Sequence, residues 1–184
     1  MSIRETTPSG NQFGYRFCTK EKTTTQQLQK FHCGNEYIDS YLKGEVKPDR
    51  TTTTYYWLDV GKNAIMAIAA IACSGIIINT GGCYNVLPAI EIKFFAVDRE
   101  YQDLQWGEKI DDGVLSDYIL CSLEYEIISD IAENVCGADY ILLYSVPESL
   151  SFYKRNNYNE FLDCFLKSTD ITTQNCIPLF KKIS

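Results

Sequence analysis

Apolar and polar residues alternate with two different spacings in the first part of the chain, and each spacing predicts a different element. Between residues 24 and 42, apolar side chains recur every three or four positions, as in an amphipathic helix. Cys33-Gly34-Asn35 interrupts this pattern, so we expect two short helices. Residues 51–60 are rich in Thr, Tyr and Trp, a turn sequence follows at 61–63, and residues 64–73 are mostly apolar. This order predicts a hairpin of two strands.

Strands and helices are predicted to alternate in the second part of the chain. The predicted order is a strand over 90–97 after Pro88, a helix over 108–134 with a stop at Gly137, a strand over 140–146, a short helix over 148–156 and a strand over 158–166. Such alternation favours an α/β sheet with a parallel pair of strands near its centre.

Composition narrows the class of protein. The chain has 184 residues, 45% of them hydrophobic and 22% charged, which fits one folded domain and disfavours disorder. The formal net charge is -7, so sequence-independent binding to nucleic acid would need a local basic patch. No apolar run is long enough to cross a bilayer, and residues 1–14 lack the apolar core of a secretory signal. We therefore expect a cytoplasmic protein with no membrane partner, in which residues 1–14 form a flexible or peripheral segment.

Metal chemistry is disfavoured by the spacing of the cysteines. The 8 cysteines form no C-x-x-C pair, and the single histidine, His32, has no second histidine at ligand spacing. We interpret the cysteines as buried free thiols and expect no metal. A catalytic pair of His32 with Cys33 stays open beside the simpler interpretation of a histidine at a helix end.

The junction between residues 97 and 108 is the strongest candidate for a binding site. It connects a strand to a long helix, and the free N–H groups at a helix start can hold an anion such as a diphosphate. Gly107 is its only glycine, and an ordinary strand-to-helix connection would look much the same.

Four segments resemble the GNAT family of N-acetyltransferases, and the similarity as a whole spans roughly residues 15–183. Phe94-Phe95-Ala96-Val97-Asp98 followed by Tyr101-Gln102-x-x-Gln105-x-Gly107-Glu108 resembles the family's acetyl-CoA-binding segment, with Gln105 in place of the first glycine. Ser151 to Tyr158 resembles the helix after the fifth strand. Residues 31–36 with Leu42, and Pro178 to Lys182, are similar to the start and the last strand of the branch that includes tRNA-acetylating toxins. The resemblance implies one domain over 1–184, with a mixed, twisted sheet of six or seven strands and helices on both faces.

The resemblance also implies roles for individual residues. The backbone of Phe95, Ala96 and Val97 would pair with the pantetheine arm of acetyl-CoA. The amides of one segment would hold the diphosphate: Gln102, Asp103, Leu104, Gln105, Trp106, Gly107 and Glu108. Tyr153 would act as the acid that protonates the departing thiolate, and Glu91 as a base, directly or through water. The alternatives are a tyrosine that only packs in the core and a solvated strand carboxylate.

The activity implied by the resemblance is acetyl transfer from acetyl-CoA to a primary amine. The amine could belong to a small molecule, a protein or an aminoacyl-tRNA, and the net charge disfavours the tRNA unless basic residues cluster. The resemblance is compatible with a homodimer and with membership of a toxin–antitoxin pair. The alternative is a non-catalytic protein that has kept this fold and binds a partner or ligand. Gln105 and Asp103 favour this alternative because they oppose diphosphate binding.

Overall fold

The computed structural model describes residues 15–19, 24–44, 51–59, 61–106 and 113–183, with the backbone alone at 15–19 and 171. The chain divides into two compact units, the first Met1–Ala70 with Phe94–Ser122 and the second Ile71–Lys93 with Leu123–Ser184. Within the described residues, no helix is long and apolar enough to span a membrane.

Seven strands form one mixed sheet in the order β1-β2-β3-β4-β5-β7-β6. The strands are β1 Tyr15–Thr19, β2 Thr53–Asp59, β3 Ala64–Thr80, β4 Cys83–Val97, β5 Tyr140–Ser145, β6 Asn159–Glu160 and β7 Ile177–Lys182. β4 and β5 run parallel, whereas β7 pairs antiparallel with both β5 and β6. The predicted parallel pair is therefore confirmed.

The helices are short, apart from one helical run. They are α1 Thr25–Lys30, α2 Glu36–Leu42, α3 Leu115–Ser122, α4 Ser129–Ile131 and α5 Leu150–Arg155, with 3₁₀ turns at Pro147–Ser149 and Ile171–Thr173. π-Helical turns at Leu123–Ile128 and Ala132–Cys136 join α3 and α4 into a run from 115 to 136. Gly137 ends that run with a left-handed φ of 61°, as its position predicts.

Helices cover both faces of the sheet in the first unit. Along β2, Tyr56 and Leu58 lie in a core cluster with residues of α1 and α2. Trp57 points to the opposite face and donates a hydrogen bond of 3.2 Å to Ser122 of α3. Because side chains alternate along a strand, a fully apolar Tyr-Tyr-Trp-Leu sequence indicates that β2 is buried on both faces.

An aromatic cluster stabilises the second unit. Ile76, Ala89 and Leu142 form its buried centre. Around them pack Leu87, Tyr140, Tyr144, Phe161, Phe165 and Phe180.

Three sequence predictions need correction. β3 and β4 extend to a tight turn at Gly81–Gly82, so β4 begins before Pro88. The strand expected over 158–166 is limited to Asn159–Glu160, because residues 164–166 turn to bond the end of β3 instead. The cysteines are not uniformly buried, since Cys73, Cys83 and Cys121 are exposed.

Candidate functional site

The chain turns sharply after β4, and the buried Asp98 organises that turn. Its Oδ2 accepts a hydrogen bond of 2.8 Å from the amide of His32, and its Oδ1 accepts one of 2.9 Å from the amide of Glu100. Its carbonyl accepts from the amides of Tyr101 and Gln102. One aspartate thus fixes both the turn and the loop between α1 and α2.

The side chain of Gln102 closes the same turn. Its Nε2 donates to the carbonyl of Val97 at 2.7 Å and to the carbonyl of Cys33 at 3.1 Å. The glutamine side chain is long enough to reach both carbonyls, and its amide nitrogen has two N–H donors, one for each of them. The sequence motif identified Gln102, but the structure shows its side chain holding the protein backbone.

The backbone amides of this segment divide into two groups. The amides from Asp98 to Gln102 all donate within the first unit, and the amide of Trp106 donates to Gly113 at 2.9 Å. Within the described residues, the amides of Asp103, Leu104 and Gln105 donate no hydrogen bond. Consecutive free N–H groups can bind an anion, so residues 103–105 suit a phosphate. Gly107 and Glu108 lie outside the described residues.

The predicted helix does not include residues 113 and 114 in the structure. Gln105 and Val114 form an antiparallel bridge, and the amide of Leu115 donates to the carbonyl of Leu104 at 2.8 Å. Gly113 has a φ of 81°, which a right-handed helix does not allow. Helix α3 therefore begins at Leu115. Val114 belongs to the bridge, although its apolar side chain also fits the helical pattern of the sequence.

The residue in the left-handed region is Asp103, whose φ is 62°. Gln105 is outside that region, so a glutamine in place of the family's glycine carries no penalty of backbone strain. Aspartate tolerates the left-handed region better than most residues. Its exposed carboxylate nevertheless places negative charge beside the three free amides.

Trp106 lies flat on Tyr118 of α3, with ring centroids 3.7 Å apart and an interplanar angle of 8°. This stacking fixes the side chain of Trp106 against the first two turns of the helix. The ring therefore covers part of the helix surface next to the segment that the sequence motif identified.

His32, Cys33 and Asp39 form a cluster in which the carboxylate lies between the other two groups. His32 Nδ1 is 2.6 Å from Asp39 Oδ2, and the Cys33 thiol is 3.3 Å from Asp39 Oδ1. Burial, with the nearby Asp39, raises the pKa of Cys33 to about 11. A thiol with this pKa is a poor nucleophile at neutral pH, so the structure does not support a catalytic pair of His32 and Cys33.

The end of β4 carries the residues predicted to contact the pantetheine arm. Ala96 and Val97 are buried, and Phe95 is half-buried. The β4–β5 ladder pairs Ala89 to Ile92 with Tyr140 to Leu143.

Glu91 is a buried carboxylate with a cationic partner. Its Oε1 is 2.9 Å from Nζ of Lys93, and its side chain is 11% exposed. The two side chains share one face of β4, as their spacing predicts. Glu91 is therefore not a solvated strand carboxylate.

Tyr153, in α5, is buried among aromatic rings. Its ring contacts Phe152 at 5.0 Å and Tyr158 at 5.5 Å between centroids. Burial raises the pKa of Tyr153 well above its ordinary value. No hydrogen bond to its hydroxyl occurs within the described residues. The hydroxyl, with its raised pKa, is therefore protonated at neutral pH.

A second buried group of polar side chains was missed by the sequence motifs. Tyr158 donates to Glu124 Oε1 at 2.7 Å, and Lys181 Nζ lies 2.6 Å from Glu124 Oε2. The signal was present in the sequence, since Glu124 falls four residues after Leu120 and four before Ile128, on the apolar side of the helix. A carboxylate on an apolar helix face requires a buried partner.

Within the described part of the chain, no group of three or more His, Cys, Asp or Glu side chains is arranged so that it could hold a metal ion.

Comparison with known proteins gives a structural match without a sequence match. No protein-family model matches the chain, and no curated protein matches it by sequence. One similar structure is that of an AtaT toxin variant in which a tyrosine is changed to phenylalanine, bound to the C-terminus of the antitoxin AtaR and to acetyl-CoA. Its sequence is 14% identical, the TM-score is 0.65, and the match covers 92% of this chain and 93% of that one. A tyrosine-to-phenylalanine variant of KacT is 12% identical, with 92% and 95% covered and a TM-score of 0.65.

A third similar structure contains an acetylated tRNA. AtaT complexed with acetyl-methionyl-tRNAfMet is 14% identical, with 89% of this chain and 93% of that one covered and a TM-score of 0.61. Identities this low establish the fold alone. The chain has the α/β fold of the GNAT N-acetyltransferases.

Proposed function

We propose that the protein transfers an acetyl group from acetyl-CoA to a primary amine. The observation that carries this proposal is the position of Tyr153, a buried tyrosine in α5 whose hydroxyl has no hydrogen-bond partner within the described residues. A phenol can stabilise a departing thiolate by donating a hydrogen bond to it, even though full proton transfer is uphill. The similarity to AtaT bound to acetyl-CoA supports the same chemistry.

Three consecutive amides, at Asp103, Leu104 and Gln105, would hold the diphosphate of acetyl-CoA. Backbone donors bind an anion without a charged side chain, so the absence of a glycine-rich sequence does not exclude binding. The carboxylate of Asp103 opposes it, although the repulsion is screened because the side chain is exposed. We therefore expect weak rather than absent cofactor binding. Gln102 would act indirectly, by holding the turn through Val97 and Cys33.

In the reaction, the amine nitrogen attacks the thioester carbonyl, the carbon–sulfur bond breaks, and the sulfur leaves as coenzyme A. Tyr153 would donate to the leaving sulfur. The proton lost by the attacking nitrogen would pass to Glu91 or to water, and Tyr153 would regain its proton from solvent. The ion pair with Lys93, at 2.9 Å, would hold the Glu91 carboxylate in position.

The acceptor is the part of the function that the fold does not determine. AtaT is known in complex with acetyl-methionyl-tRNAfMet, which makes an aminoacyl-tRNA one acceptor to test. The net charge of -7 favours a small-molecule or protein amine.

Specific observations favour the alternative, in which the fold binds a partner or ligand without catalysis. The bridge between Gln105 and Val114 and the stacking of Trp106 on Tyr118 stiffen the segment around the three free amides. Asp103 adds negative charge there. A protein that had lost acetyl-CoA binding would tolerate all three features.

Binding of the cofactor separates the two functions. Calorimetric titration of the full chain with acetyl-CoA and with dephospho-CoA should show saturable binding of both. An acceptor screen by mass spectrometry should then find an amine that gains one acetyl group only when protein and acetyl-CoA are both present. The screen should include polyamines, lysine peptides and aminoacyl-tRNA. No heat of binding at millimolar acetyl-CoA would favour the alternative.

A further inference from the structure

Helix α5, which carries Tyr153, is too short to be stable by itself. It spans six residues, Leu150–Arg155, and the residue before it, Ser149, gives no side-chain cap. Isolated helices shorter than about 12–15 residues are marginal in water. Contacts with the rest of the second unit must therefore decide where the Tyr153 side chain lies.

The chain after α5 turns back on Tyr153. The carbonyl of Tyr153 accepts hydrogen bonds from the amides of Asn156, at 3.0 Å, and Tyr158, at 3.1 Å. Between them, Asn157 has a φ of 67°, in the left-handed region that asparagine tolerates. The ring of Tyr158 packs edge-on against the ring of Tyr153, with centroids 5.5 Å apart and an interplanar angle of 73°. Both the backbone and the ring of Tyr158 thus contact Tyr153.

Glu124 anchors Tyr158 from a different helical segment. The hydroxyl of Tyr158 donates to Glu124 Oε1 at 2.7 Å. Lys181 Nζ, on β7, donates to Glu124 Oε2 at 2.6 Å and to the carbonyl of Asn156 at 3.1 Å. The same ammonium lies 5.4 Å from the centre of the Tyr158 ring. Glu124 is therefore joined to the turn after α5 by two routes, one through Tyr158 and one through Lys181.

The Tyr153 side chain depends on its ring contacts, because its hydroxyl makes no hydrogen bond within the described residues. The ring packs against Phe152 at 5.0 Å and against Tyr158 at 5.5 Å between centroids. Phe152 belongs to the same short helix and moves with Tyr153. Tyr158 is the contact that connects Tyr153 to the long helical run and to β7.

We propose that Glu124 positions Tyr153 for donation to the leaving sulfur, by holding Tyr158 and, through Lys181, the turn after α5. This inference rests on the proposed acetyl transfer, and it makes Glu124 a positioning residue that acts through Tyr158. A buried carboxylate with a separate donor for each oxygen has one favourable arrangement, because an unpaired charge or donor in the interior is costly. The turn after α5, and with it the Tyr153 ring, is thereby restricted to one arrangement.

The first measurement does not depend on activity. The full chain is labelled with 3-fluorotyrosine at its 13 tyrosines, and the fluorine NMR signals of Tyr153 and Tyr84 are assigned from Tyr153→Phe and Tyr84→Phe. Glu124→Gln keeps the size of the side chain and removes its charge. In this variant we expect the Tyr153 signal to shift or broaden and the signal of the exposed Tyr84 to stay unchanged.

Glu160→Gln is the matched control. Glu160 also forms an ion pair with a lysine, Lys154 of α5, but its side chain is 51% exposed. Exposed ion pairs contribute little, so this variant should leave the Tyr153 signal in place. If Glu124→Gln does not fold, Lys181→Met replaces it. Lys181→Met removes the cation, keeps an apolar side chain of similar length and should also move the Tyr153 signal.

Turnover then separates positioning from general stability. In Glu124→Gln we expect kcat to fall by about 10- to 100-fold, the loss that follows when a reacting group is misplaced, with an unchanged KM for acetyl-CoA. Because Glu124 acts through Tyr153, adding Glu124→Gln to Tyr153→Phe should lower kcat no further. Glu160→Gln should be as active as the unaltered protein.

Two results would overturn the proposal. One is a Tyr153 signal that stays in place in both Glu124→Gln and Lys181→Met. The other is turnover in Glu124→Gln that is undiminished, or whose loss adds fully to that of Tyr153→Phe. Failure of the proposed function looks different, since an unaltered protein that transfers no acetyl group can still show the change in the Tyr153 signal.

Discussion

Tyr158 donates a hydrogen bond of 2.7 Å to Glu124 inside the second unit, and Lys181 holds the other oxygen of the same carboxylate. This arrangement gives a buried charge both an opposite charge and a hydrogen-bond donor. It also links three separate elements, because Glu124 lies on the π-helical turn, Tyr158 after α5 and Lys181 on β7. The ring of Tyr158 in turn packs against Tyr153.

Removing the Tyr158 hydroxyl should therefore destabilise the protein. In Tyr158→Phe one oxygen of Glu124 loses its donor, and a hydrogen bond to a charged group contributes about 1.5–3 kcal/mol. We expect the free energy of unfolding, measured by urea denaturation, to fall by that amount. Tyr84→Phe is the matched control, since Tyr84 is 66% exposed and should cost almost nothing. Equal effects of the two variants would contradict this role of the hydrogen bond.

Alkaline pH should destabilise the protein through its buried tyrosines. Burial is the largest cause that raises the pKa of Tyr101, Tyr153 and Tyr158 above the ordinary value, so the native protein keeps these protons when the unfolded chain loses them. The stabilisation that these three tyrosines give the native protein is complete below about pH 10, the pKa of a tyrosine in the unfolded chain, and is lost as the pH rises beyond it. Each group contributes a slope of up to about 1.4 kcal/mol per pH unit.

The check is urea unfolding over the alkaline range. The slope should be smaller in Tyr158→Phe than in the unaltered protein, because one such group is gone. A free energy of unfolding that stays constant above about pH 10 would show that these hydroxyls also ionise in the native state.

A side chain at Gly34 should destabilise the protein, for two separable reasons. Its φ of 89° is in the left-handed region, and a Cβ atom would lie 2.7 Å from a guanidinium nitrogen of Arg99. Gly44 has a similar φ of 81° with nothing within 4 Å of such an atom. Gly44→Ala should cost about 1–2 kcal/mol from the backbone alone, and Gly34→Ala should cost more in urea unfolding. Equal costs would mean that Arg99 moves aside freely.

Changing Asp103 should strengthen acetyl-CoA binding if its neighbouring amides contact the diphosphate. Asp103→Asn removes the charge and keeps a side chain suited to a φ of 62°. Asp103→Gly removes the charge and the remaining backbone strain. We expect both variants to lower the dissociation constant in calorimetric titrations by several-fold, with the larger effect for glycine. Unchanged affinity in both would place the diphosphate elsewhere.

Elements with a clear apolar pattern were predictable from the sequence. The two helices around Cys33-Gly34-Asn35, the hairpin after residue 51 and the strand at 140–146 each bury one or both faces, so their patterns match their environment. The first half of β4 was not predictable. Cys83 to Val86 are all exposed, so turn geometry at Gly81–Gly82 and strand pairing hold that part of the strand without a buried face.

The end of β4 was predictable from the sequence, whereas the contacts of the turn after it were not. The motif could not show that Asp98 and Gln102 use most of the polar groups there to hold the protein backbone. Such bonds depend on the loop before α2, which is far away in sequence. Glu124 could have been found, because a carboxylate between Leu120 and Ile128 on one helix face is a local signal.

Turnover by Tyr153→Phe tests the central proposal most directly. With an acceptor identified, coenzyme A release is followed by a thiol reagent for the unaltered protein, Tyr153→Phe and Tyr84→Phe, together with the dissociation constant of acetyl-CoA. The proposal predicts that Tyr153→Phe lowers kcat by about 100-fold or more, leaves acetyl-CoA affinity unchanged and differs from an active Tyr84→Phe. Undiminished turnover in Tyr153→Phe, or no acetyl-CoA binding by the unaltered protein, would contradict it.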